Sequence, residues 1–137
     1  MKEIIMLFQF DDKGRKSKLM RALLPLRIKI KEVPNKDYGK PMGYLAGVKE
    51  YVQEDENGSL QEVGTHQEEM VNEVYARLSG EMLVMAGLTG NRVDQVLGAI
   101  RKAGLSIPYK AVLTPSNQAW DAWKLFAEIK EEHETMA

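Results

Sequence analysis

Asp11 and Asp12 stand directly after an apolar run. Adjacent carboxylates at the end of a strand are the type of group that holds a hard cation such as Mg²⁺. The same residues suit the position just before a helix, where an Asp side chain accepts from free backbone N–H groups, and capping alone accounts for them. Thr89, Gly90 and Asn91, in the string GLTGN at 87–91, form the second constellation. A small-residue turn opening a helix offers backbone N–H groups to a phosphate. The string lacks the spacing of a dinucleotide fingerprint or a P-loop, and as a tight turn with a cap it is also fully explained. Thr114, Asn117 and Trp120, in KAVLTPSNQAW at 110–120, are the third. Asn117 can present an amide at the end of a strand and Trp120 can wall a pocket, whereas the plainer reading is a first-turn polar residue and a packed aromatic.

No catalytic set can be assembled beside these residues. The chain has no cysteine, which excludes a thiol nucleophile, a zinc-thiolate site and a disulfide framework. Of the two histidines, His66 abuts a polar stretch and His133 sits in the acidic string EEHETMA, so neither has a second histidine near it for a dyad or a metal. No catalytic residue, metal ligand or cofactor is expected.

The elements that position the candidates follow from periodicity. EIIMLFQF at 3–10 and EMLVMAGL at 81–88 share a pattern at an offset of 78, matching Glu3 with Glu81, Ile5 with Leu83, Met6 with Val84 and Phe10 with Leu88. The offset continues through Leu19 with Leu97 and Ala22 with Ile100. Two half-repeats of strand, helix and strand are therefore expected, at 3–33 and 81–114. Both opening strands are apolar at every position, which predicts central strands covered on both faces. RIKIK at 27–31 and YKAVL at 109–113 carry lysines, which predicts sheet edges. Val93, Val96, Leu97 and Ile100 at helical spacing predict a helix that Gly104 ends in a left-handed turn. Leu19, Ala22, Leu23 and Leu26 predict a second, stopped near Pro25.

Between the halves, 53–64 reads as a polar, flexible loop around an Asn-Gly pair, and Met70, Val74 and Leu78 predict a helix stopped at Gly80. GYLAGVKEYV is ambiguous between strand and helix. Thr114 before Pro115 reads as a cap and first helical residue, which predicts a C-terminal helix over about 115–135.

Alternating strands and helices predict one α/β domain over 1–137, a four-stranded parallel sheet of order 2-1-3-4 with helices on both faces. The competing architecture is a ferredoxin-like antiparallel sheet with extra helices. In the parallel arrangement the space between strands one and three is a switch point, a crevice where ligands bind. Its lip would be built from Asp11 and Asp12 on one side and Thr89, Gly90 and Asn91 on the other, with Asn117 across the same end.

Charge divides the chain. Residues 1–50 hold twelve Lys or Arg against six acids, and residues 51–137 hold seven against fourteen, so +6 precedes −7. Lys13, Arg15, Lys16, Lys18, Arg21, Arg27, Lys29 and Lys31 form a basic cluster over the first helix and an edge strand. Opposite halves can attract between copies, and a basic half can attract an anionic partner. A nucleic acid is not favoured, because no aromatics interleave with the cations. The longest apolar run, Ile4 to Phe8, is too short to cross a bilayer, and no membrane partner is expected. With no secretory signal at the N-terminus, the cytoplasm is the expected compartment.

EMLVMAGL, VDQVLGAIRKAG, KAVLT, Asn117, Trp120 and EIKEEH together resemble a family of small uncharacterised bacterial proteins classed as a domain of unknown function, over residues 81–133. The resemblance implies no activity, substrate or site. It concentrates interest on Thr114, Asn117 and Trp120, where the family pattern is densest. The function expected is a non-enzymatic interaction or regulatory module, acting on an unknown protein partner or by self-association. The alternatives are a small-ligand or phosphate binder at the crevice, and a weak nucleic-acid binder through the basic half.

Overall fold

A computed structural model describes residues 2–54, 60–62 and 78–136. Its centre is a four-stranded mixed sheet built from β1 (Ile4–Phe8), β2 (Lys29–Glu32), β5 (Met82–Ala86) and β6 (Tyr109–Val112), in the order β2-β1-β5-β6. A two-stranded antiparallel hairpin, β3 (Val52–Glu54) and β4 (Leu60–Glu62), lies outside that sheet. The helices are α1 (Lys13–Leu23), α2 (Met42–Ala46), α3 (Gly90–Lys102) and α4 (Ala122–Met136).

The two apolar strands are central and the two lysine-bearing strands are at the edges, for the reason the sequence indicates. Every residue of β1 and β5 is buried, and their alternate side chains enter two separate cores. Ile4, Met6, Phe8, Met82, Val84 and Ala86 pack under α2 and α4, against Met42, Leu45, Leu125 and Phe126. Ile5, Leu7, Leu83 and Met85 pack under α1 and α3, against Leu19, Leu23, Val96 and Ile100.

Strand direction departs from the expected parallel sheet. β1 pairs with β2, and β5 with β6, in parallel. The central pair β1–β5 is antiparallel, with Ile4 opposite Ala86 and Phe8 opposite Met82. The central direction is that of the competing ferredoxin-like scheme, while the parallel outer pairs exclude that scheme. Two parallel strand–helix–strand units are thus joined head to tail. A half-turn about an axis normal to the sheet relates units joined in this way and leaves each crossover helix on its own face. Hence α1 and α3 share one face, where a wholly parallel sheet would have placed them on opposite faces.

Local chemistry sets the ends. α1 stops at Leu23, and Pro25 then sits in a 3₁₀ turn, Leu24–Leu26, closed by Arg27 with φ of +57°. Gly104 follows α3 with φ of +76°, where a Cβ would be strained. Gly87 ends β5 with φ of +75°, and a Cβ there would lie 2.5 Å from the Lys2 carbonyl oxygen. Of the expected loop at 53–64, the ends pair as the hairpin. The remainder of that loop, and most of the helix expected before Gly80, lie outside the described residues.

Candidate functional site

The antiparallel splice decides where the candidate residues stand. Because Phe8 lies opposite Met82, the end of β1 adjoins the beginning of β5. Asp11 and Asp12 are therefore at one end of the sheet, while Thr89, Gly90 and Asn91 follow β5 at the other. A central strand of five residues separates the two groups, about 14 Å at ~3.4 Å per residue. The single lip required for a crevice between strands one and three is not formed.

The side chains of Asp11, Asp12, Thr89 and Asn117 each have a local task. Asp12 caps α1, its Oδ1 accepting from the backbone N–H groups of Gly14 at 2.9 Å and Arg15 at 3.1 Å. Asp11 accepts at 2.8 Å from the side-chain amide of Gln9, whose own oxygen accepts from Leu78 N. Thr89 caps α3 through Oγ1, which accepts from Arg92 N at 3.3 Å, and Gly90 and Asn91 are its exposed first residues. Asn117 is 8% exposed; its Oδ1 accepts from Thr114 N at 2.9 Å and its Nδ2 donates to Val112 O at 3.2 Å.

Those two bonds explain why the last helix begins late. Asn117 folds residues 114–120 back on the end of β6, so Thr114 and Pro115 open a turn and not a helix. α4 starts at Ala122 instead, with the Asp121 side chain accepting from Lys124 N at 2.8 Å. The same turn carries Trp120, half-buried, with the Lys124 ammonium 4.9 Å from its ring centre. Met42 N donates to Trp120 O and Gly43 N to Gln118 O, both at 2.8 Å, so the turn holds α2 against the sheet. Asn117 and Trp120 thus form a structural corner.

Two arginine clamps escaped the sequence reading. Arg15 donates through Nε and Nη2 to both oxygens of Glu81, and through Nη2 to Ser106 O at 2.8 Å. Arg92 likewise donates to both oxygens of Glu3, and to Leu26 O at 2.7 Å. Each arginine is the third residue of its helix, and each grips the glutamate before the other unit's central strand. Hydrogen bonding from Arg92 holds the Glu3 carboxyl below its ordinary range and in turn raises the Arg92 guanidinium, as the bond to Glu81 raises that of Arg15. The available signal was the match of Glu3 with Glu81, with an arginine three residues beyond each cap.

Subtracting such commitments leaves one conspicuous surface. Residues 13–31 contain eight Lys or Arg and no acid. Arg15 is clamped, and Lys16 pairs with Glu32 at 2.5 Å. Lys31 turns to the α2 face, where its Nζ donates to Leu45 O at 3.1 Å and burial lowers its pKa. Lys29, two residues before Lys31 on the same strand and opposite Ile4, shares the α2 face, which leaves Lys13, Lys18, Arg21 and Arg27 exposed on α1 and its exit turn. Among them stand Met20, 43% exposed, and Leu24, 72% exposed, two of the three large apolar side chains that are exposed among the described residues.

Across the described residues, no three His, Asp or Glu side chains gather as a metal site, and no helix is long and apolar enough to cross a membrane. Residues 81–136, which comprise β5, α3, β6 and α4, match the model of a family described as a domain of unknown function (DUF3783). Comparisons with curated proteins and with solved structures found no match.

Proposed function

We propose that the protein is a non-enzymatic interaction module whose working surface is the outer side of α1 and the turn that follows it, and that it engages an anionic partner there. One observation carries this reading. After the clamps, the Lys16–Glu32 pair and the two lysines of β2 that face α2 are accounted for, four cations stay exposed on α1 and its exit turn, along a stretch of sequence with no acid. Unpaired charge of one sign on one face raises the local concentration of an oppositely charged partner. The compartment proposed for this activity is the cytoplasm.

The test is retention on a heparin resin at pH 8, where a chain with a sequence pI near 6.2 is net negative. Retention at low salt, lost on charge reversal of Lys18 and Arg21, is the expected result. Passage of the wild-type protein through the resin at low salt would overturn the proposal.

We also read the two units as copies of one strand–helix–strand ancestor. Met6 and Val84, matched at the offset of 78, are also opposite each other in the β1–β5 register. A pseudo-two-fold axis through that pair relates the Arg15–Glu81 and Arg92–Glu3 clamps.

A further inference from the structure

We infer that the anionic partner of the α1 surface is a lipid surface; this rests on the reading of α1 as an interaction face and names what it meets. Cations alone do not choose between a phosphodiester chain, an acidic protein and a bilayer, but the apolar side chains among them do. Met20 and Leu24 are one helical turn apart, and Leu24 is the most exposed large apolar residue described, with exposed Pro25 beside it. A nucleic-acid backbone neutralises Lys13, Lys18, Arg21 and Arg27 and leaves Leu24 in water. An acidic protein must bring a pocket shaped to receive it. The interface of a bilayer accepts both kinds of group without a pocket, apolar tips entering the acyl boundary while basic side chains reach up to the headgroups.

The inward side of α1 limits the depth of that contact. Leu19 and Leu23 belong to the core under the sheet, so only the tips of Met20 and Leu24 enter, and the helix stays folded on the protein. Binding of this kind is shallow, reversible and dominated by charge, which makes it sensitive to salt. The apolar run too short to span a bilayer does not bear on such contact from the side.

The test is co-sedimentation of the full chain with phosphatidylcholine vesicles, with and without phosphatidylglycerol, beside the heparin resin. Wild type, K18E/R21E and Leu24→Ser are compared after circular dichroism shows each folded. The expected result is binding to the anionic vesicles only, weakened at least about tenfold by K18E/R21E and several-fold by Leu24→Ser. Leu24→Ser should leave heparin retention unchanged. Retention on heparin without vesicle binding, equal binding to neutral vesicles, or vesicle binding indifferent to Leu24→Ser would each overturn the lipid assignment and leave the interaction-module reading standing. Failure on both supports would end both.

Discussion

α1 and α3 occupy equivalent places on one face of the sheet, yet only their inward sides agree. Each starts from a side-chain cap, Asp12 or Thr89, places an arginine at its third residue to clamp the other unit, and buries two apolar residues. Outside, α1 shows Lys13, Lys18, Met20 and Arg21, while α3 shows Asn91, Asp94 and Gln95 before Arg101 and Lys102 near its end. The inward agreement is what the fold requires of any helix in that place. The outward difference is free of packing, and so it is where a role particular to one helix can be written. The family match covers α3 and not α1, which places the proposed working surface outside the matched segment.

That contrast is sharpened by substitutions whose effects should fall in a definite order. Leu19→Ala empties a fully buried site between α1 and β1 and should cost about 2–5 kcal/mol in denaturant unfolding. Asn117→Ala leaves Thr114 N and Val112 O without their side-chain partner at the end of β6, and should cost about 1–3 kcal/mol. Arg15→Ala should cost about 1 kcal/mol, because the guanidinium is partly in water and solvent screens the pair. Arg92→Ala should cost less, since Glu3 is more exposed than Glu81.

The Glu3 clamp also predicts a pH dependence. Its carboxyl titrates below its ordinary value in the folded protein, so its contribution is complete above the unfolded value, about 4.3, and is lost as pH falls through the folded value. Thermal melts below pH 4.5 or so should therefore decline less steeply for Glu3→Gln than for wild type. An unchanged slope would remove the clamp from the account of stability. Smallest of all, Leu24→Ser should alter stability by less than about 0.5 kcal/mol, as a change at an exposed surface position does.

Much of the sheet was legible because its signals are compositional. Two wholly apolar runs had to be central and two lysine-bearing runs had to be edges, which yields the order β2-β1-β5-β6. Direction was not legible in the central pair, since a strand buried on both faces has the same pattern whether its neighbour runs with it or against it. That one reversal dissolved the crevice and separated Asp11 and Asp12 from Thr89, Gly90 and Asn91. Thr114 and Pro115 misled for another reason. Their preference for a helix start is local, and the Asn117 side chain outcompetes it by closing a turn on the strand before it. The basic cluster was visible as eight residues, but only the fold shows that three of them are committed to partners and that Lys29 faces the other side of the sheet.

The most direct measurement compares the two helices. K18E/R21E on α1 and R101E/K102E on α3 change the net charge equally, and all four side chains are exposed. On a heparin resin at pH 8, elution of the α1 variant should move to the flow-through while the α3 variant stays close to wild type. Equal loss from both variants would show that retention follows bulk charge, and would contradict the assignment of α1 as the working surface.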